Sequence, residues 1–486
     1  EYNRAKANAR SALDKTYSNK DKRYSRQFCD EYKEHYLSKE PIPSLDDYYA
    51  MMKEVIPMIP IEAINQTMAM LVPPTDTNMV VLNIEKDGAV YPTREGLLKA
   101  IAGVRAEKLE AYVDNVKDEP LITTMPKKGT IKSEKVNEKF GYKELVLSNG
   151  VKVVLKQTDF KKDQVLLSME GFGGSSLYGE ADYANLKAFD DVIEASGLGN
   201  FSHTELEKAL AGKIASASMS LGMTRQTISG SSTPKDVETM LQLVYLYFTA
   251  INKDQESFDN LMKTYEISLK NKALSPEGAF NDSVNVTMNS HNPRFASIET
   301  ADLKNVSYDR ILEIARNLTS NAAAYTLTII GNYDEATIRP LLEQYIASLP
   351  SQKKVTKGKR VDTDAKGIVI NSFKRKMETP KAMAIMVWSS EDIPYTLENR
   401  IKADIAGQVL SMIYLKKIRE DASAAYSVGA QGSLNRSDEK IDCGLMAYCP
   451  MKPEKGDTAL AILRDEVPAM AKSCDADMLA KVKEYM

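Results

Sequence analysis

Histidine is scarce in this chain of 486 residues: there are three, His35, His203 and His291, and no two lie three to five residues apart. A helix that holds a catalytic zinc presents two imidazoles at that spacing, so no such helix can be formed from this sequence. Four cysteines, Cys29, Cys443, Cys449 and Cys474, match no C-x-x-C spacing, which speaks against a zinc knuckle and a disulfide framework alike. Charge of one sign is also lacking. The 64 Lys and Arg nearly balance 67 Asp and Glu, and a net charge of −3 leaves no electrostatic footprint for nucleic acid. The lysine-rich stretch at 353–360 (KKVTKGKR) reads as a solvated linker. No apolar run approaches the ~18 residues of a membrane span. The glycines of GFGGSS at 171–176 have no G-K-S/T and no G-x-G-x-x-G pattern and read as a turn. G-x-S-x-G, which would mark a serine nucleophile, is absent as well.

What is present is enough apolar material, 43% of residues, to build cores for two to three domains. Residues 2–36 read as helix with a break near 18–20, followed by helices at 44–55 and 61–71 separated by Pro57 and Pro60. Pro73 and Pro74 form a turn, 79–84 (MVVLNI) a buried strand, and 93–105 a helix. Residues 114–139 turn polar and carry Pro120, Pro126 and Gly129, which is linker chemistry. Asn149-Gly150 then marks a hairpin over 143–157. A strand is expected at 164–170, helices at 181–195 and 201–213, alternating strands over 215–231, and helices at 234–252, 255–272 and 308–317. A strand at 325–330 and a helix at 335–349 complete this stretch. Ser202, with Glu205 three residues on, is a capping box. His203 beside it reads as a surface residue at a helix start, and His35 and His291 as packing residues ahead of prolines.

An internal repeat organises these pieces. The helix, strand, loop, helix order of 60–104 returns at 307–349, with Pro60 and Asn78 aligning with Ser307 and Tyr325 at one offset. Residues 1–113 therefore read as the second half of a unit, 114–140 as a linker, 141–352 as one complete unit, and 353–486 as the first part of another. That last part is expected to carry strands at 367–372, 382–388 and 441–451, and helices at 457–472 and 477–486. Both chain ends fall inside a unit, so the natural protein is expected to extend beyond each, with apolar helix and strand faces left open in the half-units.

The most informative stretch is 401–432. Ile401, Ile405, Val409, Leu410, Ile413 and Ile418 form the apolar stripe of a helix, which Pro394 and Thr396 announce and Lys416, Lys417 and Arg419 close. After a break at 420–423, residues 425–430 read as a short strand containing Tyr426. Arg419 at a helix end and Tyr426 in the next strand can converge across a tight turn. Spacing alone leaves both readings open, a dipole-favoured Arg and an ordinary strand Tyr, or a functional pair.

The segment LKKIREDASAAYSVGA resembles the Arg-x6-Tyr motif in the C-terminal half of pitrilysin/insulinase-type zinc peptidases. Four αβ units, two per half and joined by a central linker, are that family's architecture, so the resemblance spans essentially the whole chain. It implies an α/β fold (α+β in finer schemes) of tandem two-layer units, mainly antiparallel sheet packed against helices, as in mitochondrial-processing-peptidase-like metallohydrolases. It implies a zinc metalloendopeptidase that degrades peptides, with zinc bound in an N-terminal half absent here and with Arg419 and Tyr426 as the catalytic residues this chain supplies. At the position of the family's zinc helix, residues 183–195, the motif itself falls on AFDDV at 188–192, whose Asp190 and Asp191 have no imidazole beside them and read as solvated. No metal or cofactor is therefore expected in this chain, which alone is expected to be inactive. The implied partners are a peptide substrate and either the N-terminal peptidase half or a zinc-bearing subunit, without nucleic acid or membrane span. Resemblance also implies a periplasmic or surface-exposed bacterial location. The alternative it leaves open is a non-catalytic partner or scaffold subunit that binds peptides or another chain without cleaving.

Overall fold

The computed structural model describes residues 1–71, 80–83, 88–110, 113–114, 116–361, 363–377, 379–437 and 440–486. It falls into two compact units. One comprises Glu1–Leu177, Ala188–Leu261 and Ser307–Gly358, the other Tyr178–Lys187, Met262–Val306 and Lys359–Met486.

The first unit opens with helices α1 (Tyr2–Ser18), α2 (Ser25–Ser38), α3 (Leu45–Met58), α4 (Ile61–Leu71) and α5 (Arg94–Ala106). The break between α1 and α2 falls where the sequence places it. Pro57, expected to separate two helices, instead sits in the last turn of α3, where it removes one i to i−4 hydrogen bond just before the helix ends at Met58. Of the expected strand at 79–84, residues 80–83 carry no strand, and Val80 and Leu82 are 78% and 88% exposed. Residues 79 and 84, and the Pro73–Pro74 turn, lie outside the described residues. Arg4 and Lys208 bring Nη1 and Nζ to within 2.6 and 2.9 Å of the Asp114 carboxylate, which ties α1 down. These hydrogen bonds, from Arg4 first and then Lys208, hold the Asp114 carboxyl well below the usual carboxylate range.

Strands follow as β1 (Ile131–Asn137), β2 (Tyr142–Leu147), β3 (Lys152–Gln157) and β4 (Val165–Phe172). Strand β1 lies inside the stretch read as linker, because Ile131–Asn137 pairs antiparallel with β2. Its burial is slight, so it leaves no apolar alternation in the sequence. The β2–β3 hairpin turns at Gly150, whose φ of 91° only glycine adopts without strain. Helices α6 (Tyr183–Lys187), α7 (Phe189–Ala195) and α8 (His203–Ala209) lead to β5 (Ala215–Leu221) and β6 (Arg225–Ser232). After α9 (Val237–Thr249), α10 (Gln255–Leu274) and α11 (Pro276–Met288) come α12 (Tyr308–Thr319), β7 (Tyr325–Gly331) and α13 (Glu335–Leu341), the last continued by a π-helical turn at Leu342–Ile346. Helix α11 is not anticipated from the sequence, since its apolar residues follow no helical stripe and none is buried.

The sheet of this unit has seven strands in the order β1-β2-β3-β7-β4-β6-β5, antiparallel throughout except where β7 runs parallel to β3. Leu145, Val153, Val165, Met169, Leu327 and Ile329 from its strands are buried, as are Met240, Leu241 and Val244 of α9 and Ile311, Ile314 and Ala315 of α12. Gln226 threads this core. Its amide donates to the Tyr325 hydroxyl at 2.8 Å, and its oxygen accepts the Gly174 N–H at 3.0 Å, so the glycine turn rests on the side chain below it. The two-layer, mainly antiparallel α/β (α+β) architecture is as the sequence implies.

The second unit takes in α6, α11 and most of α10 from the earlier part of the chain. In it β8 (Ala382–Ser390), α14 (Leu397–Tyr414), β9 (Gly429–Arg436), β10 (Ile441–Met451), α15 (Gly456–Lys472) and α16 (Ala476–Tyr485) form a three-stranded antiparallel sheet and its helices. The strand order β8-β10-β9 reproduces β4-β6-β5, in which the first strand also pairs with the third and the third with the second. In the larger sheet the far edge of β4 belongs to β7; on β8 no strand occupies that edge among the described residues. The strand expected at 367–372 is likewise not formed. Ile368 and Ile370 there are 95% and 88% exposed, and a counterpart of β7 is what β3 pairs with at the matching position.

Acid should loosen α1. A depressed carboxylate contributes stability above its unfolded-state pKa, near 4, and that stability is lost as pH falls through the lower folded value. Amide exchange across α1 is expected to rise below about pH 4, and Asp114→Asn should produce the same rise at neutral pH.

Candidate functional site

The second unit's helix and the strand after it are held at backbone contact distance. A Cβ on Gly407 of α14 would lie 2.1 Å from the Gly432 nitrogen of β9, and one on Gly432 would lie 1.8 Å from the Ala403 carbonyl oxygen. Only two glycines permit this approach. The Thr396 side chain caps the helix start by accepting the Asn399 N–H, as the sequence suggests. Leu410, Tyr414 and Ile418 then bury against Ala447, Cys449 and Met451 of β10 and Ala459 and Leu463 of α15. The Tyr414 hydroxyl donates to the Leu463 carbonyl at 2.6 Å. Burial pushes that phenol up and takes the Cys449 thiol to about 11, so both are neutral, inert packing groups.

Past Tyr414 the helix does not break at once. It widens into a π-helical turn, Leu415–Asp421, closed by the Ala422 N–H on the Lys417 carbonyl at 3.1 Å. Ser423 then adopts φ 49°, a left-handed conformation unusual for serine, and the Ala424 N–H reaches back to the Ile418 carbonyl at 2.8 Å. Ala424, Ala425 and Val428 are buried, whereas Tyr426 between them points outward and is 87% exposed. Tyr426 is therefore not in a strand as expected: β9 begins at Gly429, three residues later. The left-handed turn displaces the start of pairing, and nothing in the residue types of 425–430 reveals it.

Arg419 and Tyr426 are brought together. The guanidinium carbon sits 5.5 Å from the centre of the tyrosine ring, a cation–π contact. Lys416 pairs with Asp421 at 3.3 Å and Lys417 with Glu466 at 2.6 Å, so Arg419 is the cation of this turn without a carboxylate partner among the described residues. Both side chains are exposed, a five-donor cation and a phenol in contact with one another.

The position of a metal helix is occupied differently. Residues 183–195 are not one helix but α6 and α7, interrupted at Ala188. Asp190 and Asp191 are on the exposed side of α7, and Asp190 Oδ1 accepts the Leu221 N–H of β5 at 2.9 Å. No imidazole lies in this segment, and no group of three metal-ligating side chains occurs among the described residues, so the residues do not fit a zinc ion. His203 sits at the first position of α8 behind the Ser202–Glu205 capping box, with Nδ1 3.0 Å from the Glu194 carbonyl oxygen. His35 and His291, expected to pack, are both exposed: His35 is in a helix without buried residues, and His291 lies in a left-handed turn at φ 57°.

Residues 305–486 match a family model described as the peptidase M16 inactive domain. A zinc protease PQQL-like protein of Arabidopsis thaliana is 26% identical over 344 residues, 70% of this chain and 33% of its own length. The probable zinc protease PqqL of Escherichia coli is 21% identical over 437 residues, 88% of this chain and 46% of its own. Among solved structures, the periplasmic protease PqqL of Escherichia coli superposes with a TM-score of 0.66 at 20% identity, over 99% of this chain and 53% of that one. The ferredoxin protease FusC, solved as a mutant with Arabidopsis ferredoxin, gives 0.63 at 17% identity, over 95% and 51%. The chain resembles the C-terminal half of a pitrilysin/insulinase-type zinc metallopeptidase, and it spans about a third to a half of the length of these relatives. No described helix is long and apolar enough to cross a membrane.

The glycine contact sets the pair's place, so widening it should be costly. Gly432→Ala is expected to destabilise the second unit by at least ~3 kcal/mol, the upper range for overpacking. Hydrogen exchange across α14 and β9 reads the effect.

Proposed function

We propose that this chain is part of a zinc metalloendopeptidase that degrades peptides, to which it supplies Arg419 and Tyr426 as substrate-binding and oxyanion-stabilising groups. The observation that carries this reading is an exposed Arg–Tyr pair held on a strained turn, with neither polar tip engaged by another described side chain. Exposed pairs of this kind contribute little to stability. They suit a ligand: an uncharged phenol donor and a cationic fork are what a carbonyl oxygen needs as it gains negative charge. The metal belongs to an N-terminal half or a partner subunit, because the residues here do not fit it. In this reading 1–113 is the second half of an upstream unit, 114–140 a linker, 141–352 a complete unit without metal, and 353–486 the first part of a further one. A periplasmic location follows from the similarity to a periplasmic protease.

The second reading is a non-catalytic partner or scaffold that binds peptides or another chain. It draws on the interrupted helix at Ala188 and on an Asp190 already engaged by a backbone N–H.

The first of two measurements tests what both readings share, and the second separates them. The purified chain should hold no stoichiometric zinc and cleave no unstructured peptide; elemental analysis finding one tight zinc per chain, with chelator-sensitive cleavage, refutes the assignment of the metal elsewhere. In a polypeptide that includes the zinc-bearing half, Tyr426→Phe should lower kcat by roughly tenfold or more at unchanged folding, through loss of one donor. Arg419→Ala should lower activity too and raise KM. Wild-type kinetics in both variants leave Arg419 and Tyr426 as structural residues and favour the scaffold reading of this chain.

A further inference from the structure

Tyr426 is 87% exposed and meets the Arg419 guanidinium, so its position is set chiefly by the backbone that carries it. That backbone passes through Ser423 in a left-handed conformation, which costs a non-glycine residue roughly 1 kcal/mol and persists only where surrounding bonds over-determine it. Beside the local bonds of the Ala422 and Ala424 N–H groups, two such bonds come from outside the turn. The four residues after β10 grip the turn at two carbonyls on either side of Ser423. The Lys452 N–H donates to the Ala424 carbonyl at 2.9 Å, and the Lys455 ammonium donates to the Ala422 carbonyl at 2.6 Å. Lys455 is half-buried, and this carbonyl is its hydrogen-bond partner; no carboxylate pairs with it among the described residues. The carbonyl it meets closes a helical run, where the helix dipole places partial negative charge and the next turn has no N–H to offer. A short 3₁₀ turn, Pro453–Lys455, fixes the direction from which the lysine arrives through the Lys455 N–H on the Lys452 carbonyl at 3.0 Å.

We infer that Lys455 is a positioning residue, which by capping the Ala422 carbonyl holds the Ser423 turn in the geometry that sets Tyr426 beside Arg419. The charge matters as well as the hydrogen bond, since a cation at a helix C-terminus opposes the pull of that carbonyl toward water. Its value for turnover rests on the function proposed for the pair; its value for the turn does not.

Amide exchange on the intact chain tests the clamp directly. Lys455→Met keeps the stem and removes the ammonium. It should raise exchange at Ala422, Ala424 and Lys452, whose N–H groups bond within or onto the turn, by tenfold or more, while the amides of β10 and of the buried half of α14 keep their protection. Lys455→Arg, which retains a cationic donor, should restore most of it. Unchanged exchange around the turn in Lys455→Met overturns the inference. So does equal loosening throughout α14 and β10, which marks Lys455 as an ordinary stabilising contact. Kinetics in a polypeptide with the zinc-bearing half add an independent arm. If Lys455 acts through Tyr426, the Lys455→Met and Tyr426→Phe losses are non-additive, and the double variant is no slower than Tyr426→Phe alone. A loosened turn with unaltered kcat sustains the clamp and refutes the catalytic reading of the pair.

Discussion

Two glycines facing one another, Gly407 on α14 and Gly432 on β9, set the distance on which the second unit's architecture depends. Because neither has a Cβ, the helix descends onto the strand until backbone meets backbone. The polypeptide between them must then reverse within a short span, and it does so through a π-helical turn and a left-handed serine. Arg419 belongs to the first of these and Tyr426 follows the second. A wider helix–strand separation would allow a relaxed loop, and with it a Tyr426 free of the guanidinium.

The burial around the turn has the same logic. Ala424, Ala425 and Val428 are small or branched residues that anchor the segment to β10 and α15, and the one large side chain among them is sent outward. A tyrosine that served only the core would be expected to follow Tyr414 and Tyr325, whose rings are buried and whose hydroxyls find backbone carbonyls. Tyr426 does neither. Energy that packing would normally supply at such a residue is absent, and strain is tolerated next to it.

Much of this was legible in the residues. The hairpin at Asn149-Gly150, the capping box at Ser202 and the helix stripe of α14 rest on local signals, such as turn chemistry and periodicity, and these survive folding; the repeat fares less well, since residues 80–83 lack the strand it expects there. The convergence of Arg419 with Tyr426 was readable as geometry, since a helix end and a nearby segment can meet across a turn. What escaped depends on contacts distant in sequence. Strand β1 is polar because it lies at a sheet edge, and the residues at 367–372 are apolar without being in a sheet. Ile368 and Ile370 have strand chemistry, but a strand is a relation between neighbours, and propensity cannot supply the neighbour. Lys455 carried no signal at all: a lysine near a proline is unremarkable until a carbonyl from 33 residues away is found at its tip.

The three-stranded sheet has two outer strands of opposite character. Strand β9 carries Gln431, Asn435 and Arg436, whereas β8, reading AMAIMVWSS, has no charged residue and no proline. Proteins usually blunt a sheet edge with charge, proline or a bulge, because a bare one is a template for any extended chain that comes past. Here one border is guarded and the other is not. The asymmetry lies in composition: the means of blunting an edge are present in the residues of β9 and absent from those of β8.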